Sequence, residues 1–244
     1  MKLQEAVQLT PPKIILFGQP GGWKTTFATS WGSVTEVLDC DGKLHPCLKV
    51  QDQWTSERAQ VEVTSCLDTD TKVPIAFEKL KQRVFAISDL CGQKKYEKKV
   101  LVLDSLTSAG EHAMRKIIPG LARGIVVPLT QAQWGMAINE VENMLVVLKS
   151  LPICVIVVAH EMTQVVDDTT KTRIWALGAK LPDKLPVGFH EIWYSKMLVG
   201  AGSDRRPVLQ TIGSNVVATT RGGLPDGWDV RKGLRETLKQ IGYE

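Results

Sequence analysis

The sequence predicts an α/β protein built on a doubly wound, mostly parallel sheet. Four short apolar runs rich in β-branched residues punctuate the first two thirds of the chain, and amphipathic helical patterns separate them. Such continuous runs favour strands that are buried on both faces of a parallel sheet. After about residue 190 the apolar runs are separated by glycine, serine, aspartate and proline, which is typical of antiparallel hairpins. We therefore expect antiparallel hairpin strands at the C-terminal edge of the sheet.

The predicted strands are KIILFG (13–18), EVLDCD (36–41), KVLVLDS (99–105) and ICVIVVAH (153–160). Helical candidates lie between them. KTTFATSWG follows the first strand directly, and two later segments place apolar residues three and four positions apart. These segments are FEKLKQRVFAISDL (77–90) and MAINEVENMLVVLKSL (136–151). The segment VRKGLRETLKQIG (230–242) predicts a last short helix.

The length of 244 residues suits one large α/β domain, so we interpret residues 1–244 as a single domain. A composition of 43% hydrophobic and 23% charged residues excludes the disordered and fibrous classes. Residues 43–75 are rich in polar and turn residues, and we interpret them as an insertion between the second strand and the next helix. Residues 190–244 supply the predicted hairpins and the last helix.

Charge, cysteines and the N-terminal segment narrow the class of protein. The net charge of +4 is compatible with a polyanionic partner without requiring one. The five cysteines are scattered and form no C-x-x-C pair, so neither a disulfide framework nor a zinc site is indicated. No segment has the apolar core of a signal peptide or approaches the ~18 apolar residues of a membrane span. We therefore expect a cytoplasmic protein without a membrane partner.

The segment FGQPGGWKTT (17–26) follows the first strand and opens a helix. It matches the phosphate-binding pattern G-x-x-x-x-G-K-[ST] at Gly18, Lys24 and Thr25, whereas Trp23 replaces the last glycine. Lys24 is placed to reach the β- and γ-phosphates, and the Thr25 hydroxyl is placed to bind Mg²⁺. The segment predicts a site for ATP and Mg²⁺; a glycine-rich turn without a ligand is the alternative. The residues predicted to contact the nucleotide are Gly18, Gly21, Gly22, Trp23, Lys24, Thr25 and Thr26.

Trp23 is the departure from the pattern. Glycine is favoured in such loops because it accepts a left-handed backbone, which costs another residue roughly 1–2 kcal/mol. Gly21 and Gly22 are available to take up that conformation instead of Trp23. The substitution is therefore expected to modify the nucleotide site and not to eliminate it.

Carboxylates follow two of the predicted strands. Asp104 ends VLVLDS, which has the form of a Walker B strand whose carboxylate holds Mg²⁺ through water. Any buried strand can end in aspartate, so this pattern alone is weak evidence. Its position after the phosphate-binding segment supports the Walker B interpretation. The second strand ends with Asp39 and Asp41. We predict that Asp41 is the base that activates the attacking water, and an aspartate that caps the loop before Gly42 is the alternative.

His160 follows the fourth strand, at the same edge of the sheet. A polar side chain there is placed to sense the γ-phosphate and to transmit its loss to the next loop. A purely structural histidine is the alternative. The predicted catalytic residues are Lys24, Asp41, Asp104 and His160, and the predicted Mg²⁺ ligands are Thr25 and Asp104.

Three segments resemble the RecA-like recombinase core of the P-loop NTPases. VLDCDG is similar to that family's second strand with its catalytic carboxylate, LVLDSLTSA to its Walker B strand and VIVVAH to its sensor strand. Over roughly residues 13–225 the chain resembles the phage-encoded single-strand annealing ATPases of the Sak-four type, which continue with a segment like ALGAKLPDKLPVGFHEIW. The resemblance implies a Mg²⁺-dependent ATPase that binds single-stranded DNA and promotes strand annealing in phage homologous recombination, in the host cytoplasm.

The resemblance also implies sites for DNA and for a neighbouring subunit. EMTQVVDDTTKTR corresponds to the second DNA-binding loop of recombinases, and IIPGLARGIVVPLTQAQWG flanks the first. A solvated surface charge is the alternative for each basic residue of these segments. The residues implied for DNA binding are Lys171, Arg173, Arg115, Lys116 and Arg123. Those implied to complete the ATP site of a neighbouring subunit, in a ring or filament, are Lys180, Lys184 and Arg221.

Two departures from the recombinase pattern lead us to expect slow, DNA-stimulated hydrolysis. Trp23 replaces the glycine, and Asp41 is one methylene shorter than the recombinases' glutamate. Because the sequence shows no separate DNA-binding domain, strand binding is expected to need a homo-oligomer or a partner single-strand-binding protein. Two alternatives stay open, namely a nucleotide-binding annealing module with little hydrolysis and a RecA-like hexameric helicase motor.

Overall fold

The computed structural model describes residues 11–70, 72–122, 128–166, 168–178, 181–200 and 205–243. Its strands are β1 (Lys13–Gly18), β2 (Thr35–Asp39), β3 (Glu62–Ser65), β4 (Val100–Asp104), β5 (Cys154–Val166), β6 (Thr169–Trp175), β7 (Glu191–Val199), β8 (Arg205–Gln210), β9 (Thr219–Thr220) and β10 (Trp228–Asp229). Its α-helices are α1 (Lys24–Ala28), α2 (His45–Lys49), α3 (Thr55–Arg58), α4 (Ala76–Gly92), α5 (Leu106–Ile117), α6 (Pro119–Ala122), α7 (Gln131–Ser150), α8 (Leu181–Lys184) and α9 (Gly233–Gln240).

These strands form one sheet in the order β10-β8-β7-β1-β5-β4-β2-β3, with β6 paired to β5 and β9 paired to β7. The six strands from β7 to β3 run parallel to one another. The other pairings, β5–β6, β7–β8, β7–β9 and β8–β10, are antiparallel. The predicted fold class, a mostly parallel sheet with antiparallel strands at its C-terminal edge, is confirmed.

The core lies on both faces of the sheet because alternate residues of each strand point in opposite directions. On β1, Ile15 and Phe17 belong to the apolar layer that packs against helices α4, α5 and α7. Ile14 and Leu16 belong to the opposite layer, which packs against α1 and α9. Burial on both faces explains why the central strands read as uninterrupted apolar runs.

Two parts of the chain differ from the sequence-based expectation. Residues 43–75 are more than an insertion, because β3 pairs in parallel with β2 and extends the sheet. β5 continues six residues beyond His160 and returns as β6, so the segment predicted as a loop is a β-hairpin. Its many valine and threonine residues account for this, since β-branched side chains favour strands.

Among the residues that the structure describes, no helix combines the length and the apolar character that crossing a membrane requires.

A buried carboxylate ties three elements together on the α4 side of the sheet. Glu36 of β2 has no exposed surface and accepts hydrogen bonds from Arg83 of α4, at 2.7 Å from Nε and 2.8 Å from Nη2. The Thr64 hydroxyl of β3 and the Tyr96 phenol donate to the same carboxylate at 2.8 and 2.9 Å. Burial opposes ionisation, but these hydrogen bonds hold the pKa of Glu36 below its ordinary value.

Replacing the arginine that pairs with Glu36 tests this cluster. Arg83→Met leaves the Glu36 carboxylate buried without its cation, so we expect the free energy of unfolding at pH 7 to fall by about 3 kcal/mol in urea titrations. Because the folded-state pKa of Glu36 is depressed, its stabilising effect is present above its ordinary pKa of 4.5 and is lost as the pH falls below that value. The difference between variant and wild type should therefore shrink in acid.

The matched control is Arg205→Met, which changes an exposed arginine on β8. It should alter the free energy of unfolding by less than about 0.5 kcal/mol. Equal losses for the two arginines would contradict a stabilising role for the Glu36 cluster.

Candidate functional site

One cleft lies at the edge of the sheet where the parallel strands end. β1, β5, β4 and β2 are successive neighbours, and their pairing places Gly18 beside His160 and Asp39 beside Asp104. The cleft has a volume of about 520 Å³. It is lined by nine of the predicted residues: Gly21, Gly22, Trp23, Lys24, Thr25, Thr26, Asp41, Asp104 and His160. The six other lining residues were not predicted from the sequence; they are Pro20, Lys43, Pro46, Cys47, Glu161 and Trp175.

Trp23 itself adopts the left-handed conformation that glycine would supply. Its φ is 65° and its ψ is 14°, and it stands directly before α1. The expectation that glycines would relieve Trp23 of this conformation is wrong, because Gly21 is left-handed at φ 76° and Trp23 is left-handed as well. The half-buried indole packs against the apolar layer on the α1 side of the sheet, and this burial offsets the strain. The loop therefore keeps the backbone of a phosphate-binding segment despite the substitution.

Strand β7 packs against the loop that follows β1. A side chain at Gly18 would collide with the carbonyl oxygen of Ser195, and a Cβ at Gly22 would lie 3.0 Å from both that oxygen and the carbonyl of Gln19. The Ser195 hydroxyl donates a hydrogen bond to the Gly22 carbonyl. Sequence reasoning did not find Ser195, because the contact arises only from the parallel pairing of β7 with β1.

Lys24 and Thr25 begin α1 at the floor of the cleft. The buried Lys24 ammonium donates to the carbonyl oxygens of Gly18 and Gln19 at 2.9 and 2.7 Å. Burial lowers the pKa of Lys24, against the raising effect of nearby carboxylates. The Thr25 hydroxyl donates to Asp104 Oδ2 at 2.6 Å. The lysine thus rests on the loop, within reach of whatever the loop binds.

Burial sets the charge state of Asp104. It raises the pKa of this carboxyl to about 6, and the hydrogen bond from Thr25 only partly opposes the shift. A cation bound beside Asp104 would remove this penalty. The Thr25 hydroxyl and the Asp104 carboxylate are hard oxygen ligands that already converge, so these two residues fit a Mg²⁺ ion that also contacts phosphate oxygens.

The structure separates the two aspartates that follow β2. Asp39 ends the strand, and its Oδ1 accepts the backbone N–H groups of Asp41 and Gly42 at 3.1 and 2.8 Å. Asp39 therefore caps the turn, and Asp41 lies free of that role in the cleft. The strand predicted from the sequence runs to Asp41, but the observed strand ends at Asp39.

Asp41 is held as a carboxylate by several donors. Ser105 Oγ donates to its Oδ1 at 2.9 Å, and His160 Nε2 lies 3.7 Å from its Oδ2. Burial opposes ionisation, but hydrogen bonds from His160, Ser108 and Ser105 lower the pKa of Asp41 to about 2. So weak a base is better suited to orienting a water molecule than to removing its proton. That Asp41 is the catalytic base stays a prediction.

Backbone and hydroxyl groups link His160 to the β5–β6 hairpin. The His160 N–H donates to Thr107 Oγ1 at 3.1 Å, and that hydroxyl donates to the carbonyl oxygen of Trp175 at 3.0 Å. The His160 and Trp175 rings lie beside each other, with their centroids 6.4 Å apart. The edge of the cleft and the end of β6 are therefore joined through one residue of α5.

Glu161 adds a carboxylate that the sequence reasoning passed over. It follows His160 directly and lines the cleft, where one of its oxygens is buried without a hydrogen-bond partner among the described residues. Burial and the nearby Glu161 carboxylate raise the pKa of the Tyr194 phenol. The signal available in the sequence was the polar pair HE at the end of an apolar strand.

The described residues among those implied for DNA binding are dispersed outside the cleft. Lys171 and Arg173 lie on β6, where Arg173 contacts Gln164 and Asp183. Arg115 lies on α5. Lys116 lies between helices and is ion-paired with Glu78 and Glu140. Arg123 lies outside the described residues.

Two of the residues implied to act on a neighbouring subunit, Lys184 and Arg221, also lie outside the cleft. The exposed Lys184 donates to Glu142 Oε1 at 2.8 Å. Arg221 is exposed, and its backbone N–H donates to Glu191 Oε1 at 3.0 Å. Lys180 belongs to the part of the chain that the structure does not describe. The roles of all three residues stay predictions.

Comparison with known proteins places the chain among ATPases. A family model described as an AAA domain matches residues 10–220. Among solved structures the chain is similar to a prototypical ATPase from the type III secretion system of pathogenic bacteria, with 14% identity and a TM-score of 0.48. The match covers 77% of this chain and 52% of that one, so the chain spans about half the length of that ATPase. No curated protein matches the chain.

Two substitutions test the backbone at Trp23. Trp23→Gly and Trp23→Ala both remove the indole, but only glycine accepts a φ of 65° without strain. We expect the glycine variant to be more stable than the alanine variant by about 1 kcal/mol in urea unfolding. The control pair is Gln82→Gly and Gln82→Ala at an exposed position within α4, where alanine should be favoured by a similar amount. The same order at both positions would contradict a left-handed Trp23.

The opposite pKa shifts of two cleft aspartates predict stability changes of opposite sign. Asp104 has a folded-state pKa of about 6 against an ordinary 3.8, so its ionised form destabilises the fold increasingly between these pH values. Asp104→Asn should therefore raise the free energy of unfolding at pH 7.5 by about 1–3 kcal/mol, and the gain should vanish below pH 4.

Asp41→Asn is the matched control for this prediction. The pKa of Asp41 is depressed to about 2, so its carboxylate stabilises the fold above its ordinary value of 3.8 and loses that effect as the pH falls through 2. This variant should lose about 1–2 kcal/mol at pH 7.5. Denaturant unfolding at both pH values measures both effects, and changes of equal sign would overturn the assigned charge states.

Proposed function

We propose that this chain, which belongs to the AAA-domain family of P-loop ATPases, is an ATP-dependent single-stranded-DNA-binding protein that promotes strand annealing in phage homologous recombination. One observation carries the proposal. Strand β5 brings His160 to the cleft that holds Lys24, Thr25 and Asp104, and the same strand continues outward as one arm of an exposed hairpin. A nucleotide site and a candidate DNA surface thus share one strand.

Each of the cleft residues is proposed to have its own role in binding and hydrolysing the nucleotide. Lys24 would move from the loop carbonyls to the phosphates, where its charge stabilises the transferring group. Thr25 and Asp104 would hold Mg²⁺, which neutralises phosphate charge when it is bound. Asp41, fixed by Ser105 and His160, would orient the attacking water.

The hairpin supports the DNA part of the proposal. Residues 163–165 and 168–171 of its two arms and turn are exposed to solvent, and Lys171 and Arg173 of β6 bring positive charge to it. Lysine and arginine along an exposed strand suit the phosphates of a single strand, which are bound largely by charge. Arg115 of α5 extends this basic surface in the proposal.

Hydrogen bonding offers a route between the two sites. A contact between His160 and the γ-phosphate would act on a residue whose N–H is bonded to Thr107, and Thr107 is bonded in turn to the end of β6. A ligand shifts such an arrangement only through contacts that differ between its two states, and the γ-phosphate is the group that ATP loses on hydrolysis. ATP binding and DNA binding are therefore proposed to favour each other.

The proposal includes assembly of several copies of the chain. Lys180, Lys184 and Arg221 are proposed to reach the ATP site of a neighbouring subunit in a ring or filament, and a single-strand-binding protein is the proposed partner on DNA. The low pKa of Asp41 and the strained Trp23 favour slow hydrolysis, with ATP acting mainly as the assembly switch. A nucleotide-binding annealing module with little hydrolysis is the second candidate, and these same two residues support it.

Lys24→Ala tests the enzymatic part. In the presence of Mg²⁺, wild type should bind and slowly hydrolyse ATP, and single-stranded DNA should raise the rate. Loss of the ammonium that contacts the phosphates should lower ATP affinity by more than about tenfold and reduce hydrolysis to background. Lys239→Ala, at an exposed position on α9, is the control and should behave as wild type.

Three outcomes of that experiment decide between the candidates. DNA-stimulated hydrolysis that depends on Lys24 supports the proposal. ATP binding without hydrolysis supports the annealing module instead. Wild-type protein that neither binds nor hydrolyses ATP would overturn both.

A further inference from the structure

Two exposed tryptophans meet on one surface of the protein. All seven tryptophans of the chain lie within the described ranges, and only Trp134 and Trp175 are exposed, at 37% and 46% of their surface. Trp134 lies in the first turn of α7, and Trp175 is the last residue of β6. Both line the same cleft, which has a volume of about 350 Å³. We call this cleft the tryptophan cleft, and we call the cleft that Lys24, Thr25 and Asp104 line the phosphate cleft. The two are distinct, although Trp175 borders both.

The walls of the tryptophan cleft are mainly apolar. Met114, Leu121, Leu129 and Leu177 contribute to them. Arg115 lies at the same cleft together with Glu111, whose carboxylate is 3.9 Å from the guanidinium. Exposed indoles beside aliphatic side chains leave apolar surface in contact with water, which marks a site for a ligand. A flat aromatic group with a negative charge nearby would cover the indoles and approach the guanidinium.

Side chains on alternate residues of β6 add positive charge next to the tryptophan cleft. Lys171, Arg173 and Trp175 occupy every second position, and the intervening Ile174 is buried in the core. These three side chains therefore share the outward face of the strand. Lys171 and Arg173 offer positive charge to the phosphates of a single nucleic-acid strand, and the indole offers a flat surface to one of the bases that its sugars carry. Arg173 also contacts Asp183, so a bound phosphate would compete with that carboxylate for the guanidinium.

Trp175 is also held in place. Its carbonyl oxygen accepts the hydrogen bond from Thr107 Oγ1, and its residue pairs with His160 in the hairpin. The next residue, Ala176, is buried in the core. The backbone that carries the indole is therefore fixed, so a ligand that stacks on it does not have to order this part of the chain.

We propose that the tryptophan cleft binds an unstacked base of single-stranded DNA, with the sugar-phosphate backbone running along Lys171 and Arg173. This inference rests on the proposed function and adds where the bases of the strand are held. Stacking on indole tolerates every base, since each base has an aromatic face, so the cleft would bind DNA without sequence preference.

The test separates the bases from the phosphates. Fluorescence anisotropy measures binding of a labelled oligothymidylate and of an abasic deoxyribose-phosphate oligomer of equal length and charge. Wild type should bind the oligothymidylate more tightly. Trp134→Ala should weaken that binding on the order of tenfold and leave the abasic oligomer unaffected, whereas Trp134→Phe should retain most of the affinity. Trp134 is chosen because it is exposed and does not line the phosphate cleft.

Two controls complete the design. Phe85→Ala removes an exposed aromatic side chain from α4, away from the cleft, and should change neither affinity. Lys171→Ala should weaken both oligomers alike and reduce the salt dependence of binding, because it removes a phosphate contact and no stacking surface.

Each result has one meaning. Loss confined to the oligothymidylate in Trp134→Ala supports the inference. Wild type that binds both oligomers equally, or Trp134→Ala that binds oligothymidylate like wild type, overturns it and leaves the proposed function standing. A changed oligomeric mass of Trp134→Ala with unchanged DNA affinity also overturns it, and assigns the cleft to a second copy of the chain. Wild type that binds neither oligomer overturns the proposed function itself.

Discussion

The close approach of β7 to the loop after β1 is the constraint on which the phosphate cleft depends. The carbonyl oxygen of Ser195 occupies the space that a side chain at Gly18 would need, so glycine is required there, and it leaves only a tight fit for a Cβ at Gly22. This contact fixes the path of the loop from outside, through pairing of two parallel strands. It explains how Trp23 can occupy a left-handed position. The sheet and the two glycines impose the shape of the loop, and burial of the indole against the core offsets the backbone strain.

Electrostatics at the same edge favour a ligand that brings positive charge with it. Asp104 is buried with a raised pKa, while Asp41 next to it is stabilised as a carboxylate by hydroxyl and imidazole donors. Lys24 cannot compensate Asp104 fully, because it is itself desolvated and bonded to loop carbonyls. The protein therefore stores unfavourable free energy in one carboxylate. A bound cation shared with phosphates would release it, which is how a functional site comes to cost stability in the unliganded protein.

Much of this arrangement could be predicted from the sequence because parallel strands end at one edge. Once the apolar runs were identified, Lys24, Asp104 and His160 had to converge. The contacts that cross the chain could not be predicted in this way, since Ser195 and Thr107 matter only through strand order and packing. β3 was missed because its short segment EVTS is largely exposed and lacks an apolar run. The backbone of Trp23 was misjudged because a sequence does not tell which residue of a loop takes the strain.

Strand β5 passes from the central sheet into the β5–β6 hairpin at His160, and it therefore connects the proposed nucleotide site with the proposed DNA surface. Up to Ala159 it lies between β1 and β4 and is buried on both faces. Beyond His160 its only pairing among the described residues is with β6, so it stands out from the sheet. Helix α5 begins two residues after Asp104 and supplies the Thr107 hydroxyl that joins the two parts. The residue proposed to hold Mg²⁺ and the hairpin proposed to hold DNA are thus connected through one helix turn, and in the proposed function a displacement at the phosphates would reach the start of the hairpin through these hydrogen bonds.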